Sequence, residues 1–331
     1  MMGDGMAGEL ELVEQYLRQF TEDVAGREPL SGILGDVLGA PGKRLRPRLV
    51  LACGLLGERF EEKRDRLCRI GALIEMIHSS SLIHDDIIDD SPLRRGKRTI
   101  QSKYGKDMAV YTGDYILGKV LYHLMDMGAV HSGMILGSCV QDMCAGELSQ
   151  HFHRFDSQVS REEYLAAVYG KTASLFRAAC TVGALEGGCG RAEQARAGEL
   201  GEAIGMYFQL RDDVMDFQAR DQWDGKPACQ DFFRGIYTLP VICALDHPAV
   251  GTKMRRFIEE SGQGETGEEV LRQRLDHLIT EADGICHAKR CMERYKKKAF
   301  DLVSQMPEGR GKEELYQGME ICMSDVGGLN G

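Results

Sequence analysis

The chain has 331 residues, 43% hydrophobic and 28% charged, which suits a soluble globular protein long enough to bury most of its apolar surface. Its formal net charge of −10 excludes a general nucleic-acid binder, because no basic excess exists to displace counterions from phosphates. No segment approaches the roughly 18–20 apolar residues of a membrane span, so any membrane contact is expected to be peripheral. The opening Met1-Met2-Gly3-Asp4-Gly5 has no basic region and no apolar run behind it, and no signal peptide is expected. Eleven cysteines, an odd number without C-x-x-C spacing, read as thiols of a reducing cytoplasm rather than as disulfides or a zinc site.

Only 8 Pro against 40 Gly, with little period-2 alternation, favours an all-α chain. Residues 9–21 read as an amphipathic helix, and 26–42 as turn residues ahead of a basic run. A helix over 44–57 ends at Gly57. From 67 to about 90, Ile70, Leu73, Ile74 and Ile77 form a helical stripe that Ser91-Pro92 stops. Residues 94–103 read as a polar loop. Further helices are expected over 107–127, 131–153, 160–186, 192–218, 238–246 and 268–305, with a loop over 218–235 and a fraying tail at 326–331. No composition shift, repeat or low-complexity linker divides the chain, so a single domain over 1–331 is expected.

One motif occurs twice. Asp85-Asp86-Ile87-Ile88-Asp89 and Asp212-Asp213-Val214-Met215-Asp216 are both D-D-x-x-D inside expected helices. Residues i and i+4 share a helix face, so Asp85 stands over Asp89 and Asp212 over Asp216. Like charges at that spacing cost about 0.2–0.5 kcal/mol, which a bound cation removes. Carboxylates suit a hard ion, and Mg2+ takes one or two of them while phosphate oxygens and water complete its shell. A substrate diphosphate is the natural bridge. One such cluster in an acidic chain reads equally as a solvated face; two, each behind apolar helix and near basic residues, point to a metal-dependent phosphate site.

Basic residues supply the complement. Arg94 and Arg95 follow the first cluster, and Lys43, Arg44 and Arg46 open another helix, where free backbone N–H groups favour an anion. Arg forks match phosphate oxygens and Lys adds point charge. Lys171-Thr172 lies mid-helix, and Gln209 precedes Asp212 and Asp216 by three and seven residues on their face. His78 is seven before Asp85; a lone His there is more often a core hydrogen-bonder than a metal ligand, with phosphate donor as its functional alternative.

Taken together these residues resemble the trans-polyprenyl diphosphate synthases. The matching strings run from about 42 to 244: Gly42-Lys43-Arg44-Leu45-Arg46-Pro47, then His84 to Asp90 with Leu93-Arg94-Arg95-Gly96, and Thr112-Gly113-Asp114-Tyr115. Gly146-Glu147 with Gln150, Lys171-Thr172-Ala173, Phe208 to Asp213 with Asp216, and Gly225-Lys226-Pro227 leading to Thr238-Leu239-Pro240 follow. The likeness is to bacterial long-chain members of the hexaprenyl, heptaprenyl or octaprenyl kind. It implies an all-α, single-domain isoprenoid-synthase bundle around a central cavity, usually dimeric, with the Asp clusters facing each other at its mouth.

The resemblance also implies roles. Asp85, Asp89 and Asp212 would be Mg2+ ligands, with Asp86 and Asp216 acting through water or a neighbouring ligand. Lys43, Arg46, His78 and Arg95 would hold isopentenyl diphosphate; Arg94, Lys171, Thr172, Gln209 and Lys226 would serve the allylic diphosphate. Lys171, Thr172, Gln209, Asp86 and Asp216 form the expected catalytic set. The allylic C–O bond ionises, the isopentenyl double bond attacks the cation, and a proton leaves, with water kept out. Three departures bear on closure over the allylic site: Ile236 where many relatives have Lys, Cys229 where a Gly is expected, and a Gly-rich end in place of a basic tail.

Walking back from Asp85 along its face gives Ser81, Ser80, Ile77, Ile74 and Leu73. Short-chain relatives carry a bulky aromatic four or five residues before the first Asp. Here both positions are Ser, so a growing tail is expected to pass as far as Ile77 or Ile74, roughly 10 Å of helix below Ser81. The product expected is longer than farnesyl diphosphate, in the hexaprenyl to octaprenyl range. The alternatives are a class I terpene cyclase, which has no need of an isopentenyl site, and a catalytic subunit active only with a separate partner. A cytoplasmic homodimer is expected, with a heterodimer as the other arrangement and peripheral membrane contact confined to product release.

Overall fold

Helix follows helix along the computed structural model, which describes residues 5–39, 42–94, 96–218, 229–261 and 267–323. Among the described residues only two short antiparallel strands, β1 (Leu93–Arg94) and β2 (Lys97–Arg98), are extended. The chain forms two units, Met1–Val140 with Leu175–Gly201 and Leu302–Gly331, and Gln141–Ser174 with Glu202–Asp301. Each division falls within a helix, not in a linker.

The first unit contains α1 (Ala7–Glu22), α2 (Leu30–Leu38), α3 (Leu45–Gly54), α4 (Phe60–Ile88), α5 (Ile100–Tyr104) and α6 (Lys106–Asp126). It also takes the start of α7 (Val130–Phe152), most of α9 (Ser174–Gly187), the start of α10 (Arg191–Gln218) and α16 (Arg310–Met323). The stripe of Ile70, Leu73, Ile74 and Ile77 on α4 is buried as expected, but so are Gly71, Ala72, Glu75 and Met76. A helix buried on all sides is one that other helices surround, and α1, α3 and α6 pack on it. Glu75 is tolerated in that core because the guanidinium of Arg44 lies 3.1 Å away while also pairing with Glu14 of α1. A second buried pair, Arg48 with Glu314 at 3.2 Å, ties α3 to α16.

The second unit holds the rest of α7, α8 (Arg161–Val168), a π-helical turn (Tyr169–Ala173) and the rest of α10. Then come α11 (Gln230–Phe233), α12 (Leu239–Asp246), α13 (Gly251–Ser261), α14 (Glu268–Glu281) and most of α15 (Gly284–Ser304). Ser160 starts α8 through a capping box: its hydroxyl accepts the Glu163 N–H, and the Glu163 carboxylate accepts the Ser160 N–H. Phe232, Val241, Leu245, Met254, Phe257 and Leu275 lie in one core cluster, with the Phe232 and Phe257 rings stacked at 5.6 Å.

Several sequence expectations need correction. Residues 26–42 are not all turn, since Ile33, Leu34 and Leu38 bury one face of α2 among its glycines. The stretch 94–103 is a hairpin and α5, not a loop, held because Thr99 and Gln101 donate to the Ser91 carbonyl at 2.7 and 2.9 Å. The helix expected over 268–305 breaks at Asp283, which is left-handed at φ 53°. The one over 160–186 passes through the π turn. Helices α13 and α16 stand where no helix is expected, and α11 forms within the stretch 218–235 expected as loop. The tail 326–331 lies outside the described residues. All eleven cysteines are free thiols, and no described helix is long and apolar enough to cross a membrane.

Helix α9 approaches α3 so closely that a Cβ on Gly183 would stand 2.2 Å from the Val50 carbonyl oxygen. Backbone cannot swing aside as a side chain does, so Gly183→Ala should lower the unfolding free energy by about 1–3 kcal/mol. Gly118→Ala in α6 meets nothing within 4 Å and should raise it by about 0.5–1 kcal/mol. Urea unfolding of the two variants checks both signs.

Candidate active site

In the first unit the carboxylates gather where α4 ends. Asp85 and Asp86 occupy its last turn and Asp89 is its C-cap, so the i, i+4 pairing is realised. No basic residue occupies that turn. The negative end of the helix dipole and the carboxylates therefore coincide, which is electrostatically unfavourable until a cation arrives. Arg94, assigned to the allylic diphosphate, comes back from β1 to donate from Nε to Asp86 Oδ1 at 2.8 Å. Ser80 is buried and donates to the Gly113 carbonyl of α6 at 2.9 Å, whereas half-buried Ser81 donates to the His78 carbonyl within its own helix. Ile77 is buried and His78 half-buried on the same helix.

Of the basic run, Lys43 is exposed and Arg46 lies in the first turn of α3 with its guanidinium 4.5 Å from the centre of the Phe176 ring. That contact fixes the Arg46 fork in place. Arg44 does a different job, since its pairs with Glu14 and Glu75 hold α1, α3 and α4 together. Arg95 and Lys226 lie outside the described residues.

In the second unit the functional residues form one polar chain. Thr172 donates to Gln209 Oε1 at 2.8 Å, Gln209 Nε2 donates to Asp213 Oδ1 at 2.8 Å, and the Tyr164 hydroxyl donates to Asp213 Oδ2. Lys171 Nζ donates to Gln150 at 3.2 Å and lies 2.8 Å from Glu147. The π turn that presents Lys171 and Thr172 fits against α7 only because two glycines meet there: a Cβ on Gly170 would stand 2.6 Å from the Asp142 carbonyl oxygen and 2.8 Å from the Gly146 Cα. π-Helical turns of this kind recur at functional sites.

The second carboxylate group occupies the last turns of α10 as far as the described residues carry it, again with no basic residue in the last turn. Burial, then the nearby Asp231, pushes the Asp213 carboxyl up to about 7. Asp216 is pushed up to about 6 by burial and Asp231, against backbone N–H groups of Gln230 and Asp231 that donate to it. Burial also raises Asp212 to about 6 against the pull of Arg211, but 46% of its side chain is open, and solvent screening discounts that effect. The Asp216 Oδ2 atom is buried with no hydrogen-bond partner. A buried orphan oxygen beside acids that burial disfavours as anions is the donor set a hard cation completes, and Mg2+ fits it. Among the described residues no three His, Cys, Asp or Glu side chains close around a metal by themselves.

The model of the polyprenyl synthetase family matches residues 27–276. The chain belongs to the polyprenyl synthetase family. Heptaprenyl diphosphate synthase component 2 of Bacillus subtilis (strain 168) is 32% identical over 93% of this chain and 85% of its own length. The octaprenyl diphosphate synthase of Haemophilus influenzae is 31% identical over 91% of this chain and 89% of its own. A crystal structure of the Staphylococcus aureus heptaprenyl diphosphate synthase matches with a TM-score of 0.86 at 29% identity, covering 97% of this chain and 99% of that one. This polyprenyl synthetase is a prenyltransferase that elongates an allylic diphosphate with isopentenyl diphosphate to a product longer than farnesyl diphosphate. The terpene-cyclase alternative is set aside.

Two residues of the synthetase site escaped sequence reasoning. Tyr164 holds Asp213 from α8, and Asp231 adds charge beside Asp213 and Asp216. Neither belongs to a repeated motif, though the capping box that opens α8 gives the helical phase of Tyr164. Because Thr172, Gln209, Asp213 and Tyr164 form one connected chain, Thr172→Val and Tyr164→Phe should each cost about 1–2 kcal/mol of stability. Their double variant should depart from additivity by more than about 0.5 kcal/mol, since the network carries the effect of both. Urea unfolding of the four proteins of the cycle measures this.

Proposed function

We propose that this synthetase is a Mg2+-dependent long-chain enzyme that makes a hexaprenyl to octaprenyl diphosphate, working as one functional domain. The observation that carries the proposal is one carboxylate group at the negative end of α4 and a second in the last described turns of α10, with no basic residue in the last turn of either. Asp85, Asp89 and Asp212 would hold the metal, which when bound supplies positive charge to the diphosphate oxygens. Lys171, Thr172 and Gln209 donate to the leaving diphosphate as the allylic C–O bond breaks, and Arg94 and Lys226 join them. Asp86 positions Arg94, and Asp216 positions α11 through the N–H groups of Gln230 and Asp231. Lys43, Arg46, His78 and Arg95 hold isopentenyl diphosphate with its double bond ready to attack. The proton then lost passes to the departed diphosphate, and apolar walls keep water from the cation.

Incubation with Mg2+, farnesyl diphosphate and excess isopentenyl diphosphate should give a ladder ending in the hexaprenyl to octaprenyl range. A reaction that halts after one condensation would sink the long-chain reading. Asp85→Asn and Asp212→Asn should each lower kcat at least about a hundredfold, by loss of charge stabilisation. Ser80 faces the α6 backbone, where added bulk must displace a helix, so Ser81→Phe is the cleaner probe of tail length. It should shorten the ladder.

A homodimer is the assembly we favour, in the cytoplasm and with peripheral membrane contact at product release. Tyr111, Leu121, Tyr122 and Met125 of α6 and Val130 and Met134 of α7 are exposed large hydrophobics within the first unit. Apolar surface of that extent marks a contact site. Two relatives are named component 2 of a heptaprenyl diphosphate synthase, which makes a heterodimer the second reading. Light scattering after size exclusion should give a dimer that Leu121→Glu with Met125→Glu converts to monomer. A wild-type monomer that is active only after addition of a second polypeptide decides for the heterodimer.

A further inference from the structure

The second unit holds a small cavity that none of the functional residues above lines. Its volume is 220 Å3, and its walls are Arg161 and Leu165 of α8 and Cys291, Arg294, Tyr295 and Lys298 of α15. The spacing i, i+3, i+4, i+7 sets the last four on one face of α15, and i, i+4 sets the first two on one face of α8. Arg161 on α8 stands across the cavity from Cys291 on α15. Three cations thus line the cavity, and no carboxylate is among its lining residues. The acids nearby stand outside it: Glu202 is 3.8 Å from Lys298, and Glu162 follows Arg161 in the chain. In a chain with a net charge of −10 this is a local reversal of sign.

Size and donor type narrow the ligand. The cavity is below the roughly 300–1,000 Å3 of pockets that take drug-sized molecules, so an isoprenoid tail does not fit. Two Arg, a Lys and a Tyr are among its six lining residues, and donors of those types match the several oxygens of a phosphoryl group. Arg161 lies ten residues before Lys171, about 15 Å along the helix, too far for one small anion to touch both. We propose that this cavity is a second phosphoanion site, separate from the catalytic residues, that takes inorganic diphosphate or phosphate. Diphosphate is released at each elongation step, so the source in the first case is the enzyme's own by-product.

The experiment is calorimetric titration of the full chain with inorganic diphosphate, phosphate and, separately, sulfate. It is run in EDTA, to disable metal-dependent binding, and at about 0.15 M salt, to screen loose surface attraction. The expected result is a diphosphate-binding component that weakens at least tenfold in Arg294→Glu with Lys298→Glu and persists in Lys43→Ala with Arg46→Ala. The charge-reversed variant should keep wild-type circular dichroism and turnover within about twofold, because neither residue takes part in the chemistry. That turnover, measured with Mg2+, tests the active-site reading independently. At least tenfold preference for diphosphate over phosphate assigns the site to the by-product, and equal affinity assigns it to free phosphate. Absence of binding, binding unchanged by the charge reversal, or sulfate binding as tightly as both phosphoanions overturns the proposal.

Discussion

Negative charge at the end of a helix whose dipole is already negative is the constraint on which the active-site architecture depends. The C-terminal end of a long helix carries about half a negative charge, and Asp85, Asp86 and Asp89 add to it on α4, while Asp212, Asp213 and Asp216 crowd the last described turns of α10. The protein relieves part of this with its own groups. Arg94 donates to Asp86, Tyr164 and Gln209 donate to Asp213, and two backbone N–H groups donate to Asp216. In both clusters the Asp at the second position of D-D-x-x-D has side-chain partners, Arg94 for Asp86 and Tyr164 with Gln209 for Asp213.

The machinery around the second cluster is held by steric limits as much as by polar bonds. Gly170 and Gly146 let the π turn sit against α7, and that fit aims Thr172 at Gln209 and Lys171 at Glu147 and Gln150. Lys171 is therefore already partnered by a carboxylate. Arg46 is held in the same spirit by the Phe176 face, which limits the orientations open to its fork. Preorganisation of this kind reduces the reordering needed at the moment of reaction.

Much of this was legible in the chain itself. The duplicated D-D-x-x-D, the stripe of Ile70, Leu73, Ile74 and Ile77, and the strings around Lys43, Lys171 and Gln209 each carry a local signal of charge or period. Other features carried none. Helix α2 hides its apolar face among glycines, and residues 70–77 of α4 are buried all round, so a one-sided stripe understates it. The π turn needs Gly146, which is distant in sequence. Tyr164 and Asp231 reach the carboxylates only through tertiary packing, and no spacing rule connects them to Asp213. Local pattern records which faces are apolar or charged; it does not record which distant backbone must come close.

The departure at Cys229 shows how such a rule can be broken at a functional edge. Cys229 adopts φ 60°, a left-handed conformation that costs a non-glycine residue about 1–2 kcal/mol and Gly nothing. Its side chain is buried in the cluster with Phe232 and Tyr237, and its N–H donates to the Asp216 carbonyl at 3.1 Å. Apolar burial offsets the backbone cost, and the residue becomes an anchor instead of a hinge. Immediately beyond it, the N–H groups of Gln230 and Asp231 reach the Asp216 carboxylate. Backbone and side chain of Asp216 are thus both engaged by the same short segment. Ile236, half-buried where many relatives have a Lys, adds no charge there, and its N–H donates to the Asp231 carbonyl at 2.8 Å. The segment from Cys229 to Tyr237 is fastened to Asp216 by apolar packing and backbone bonds.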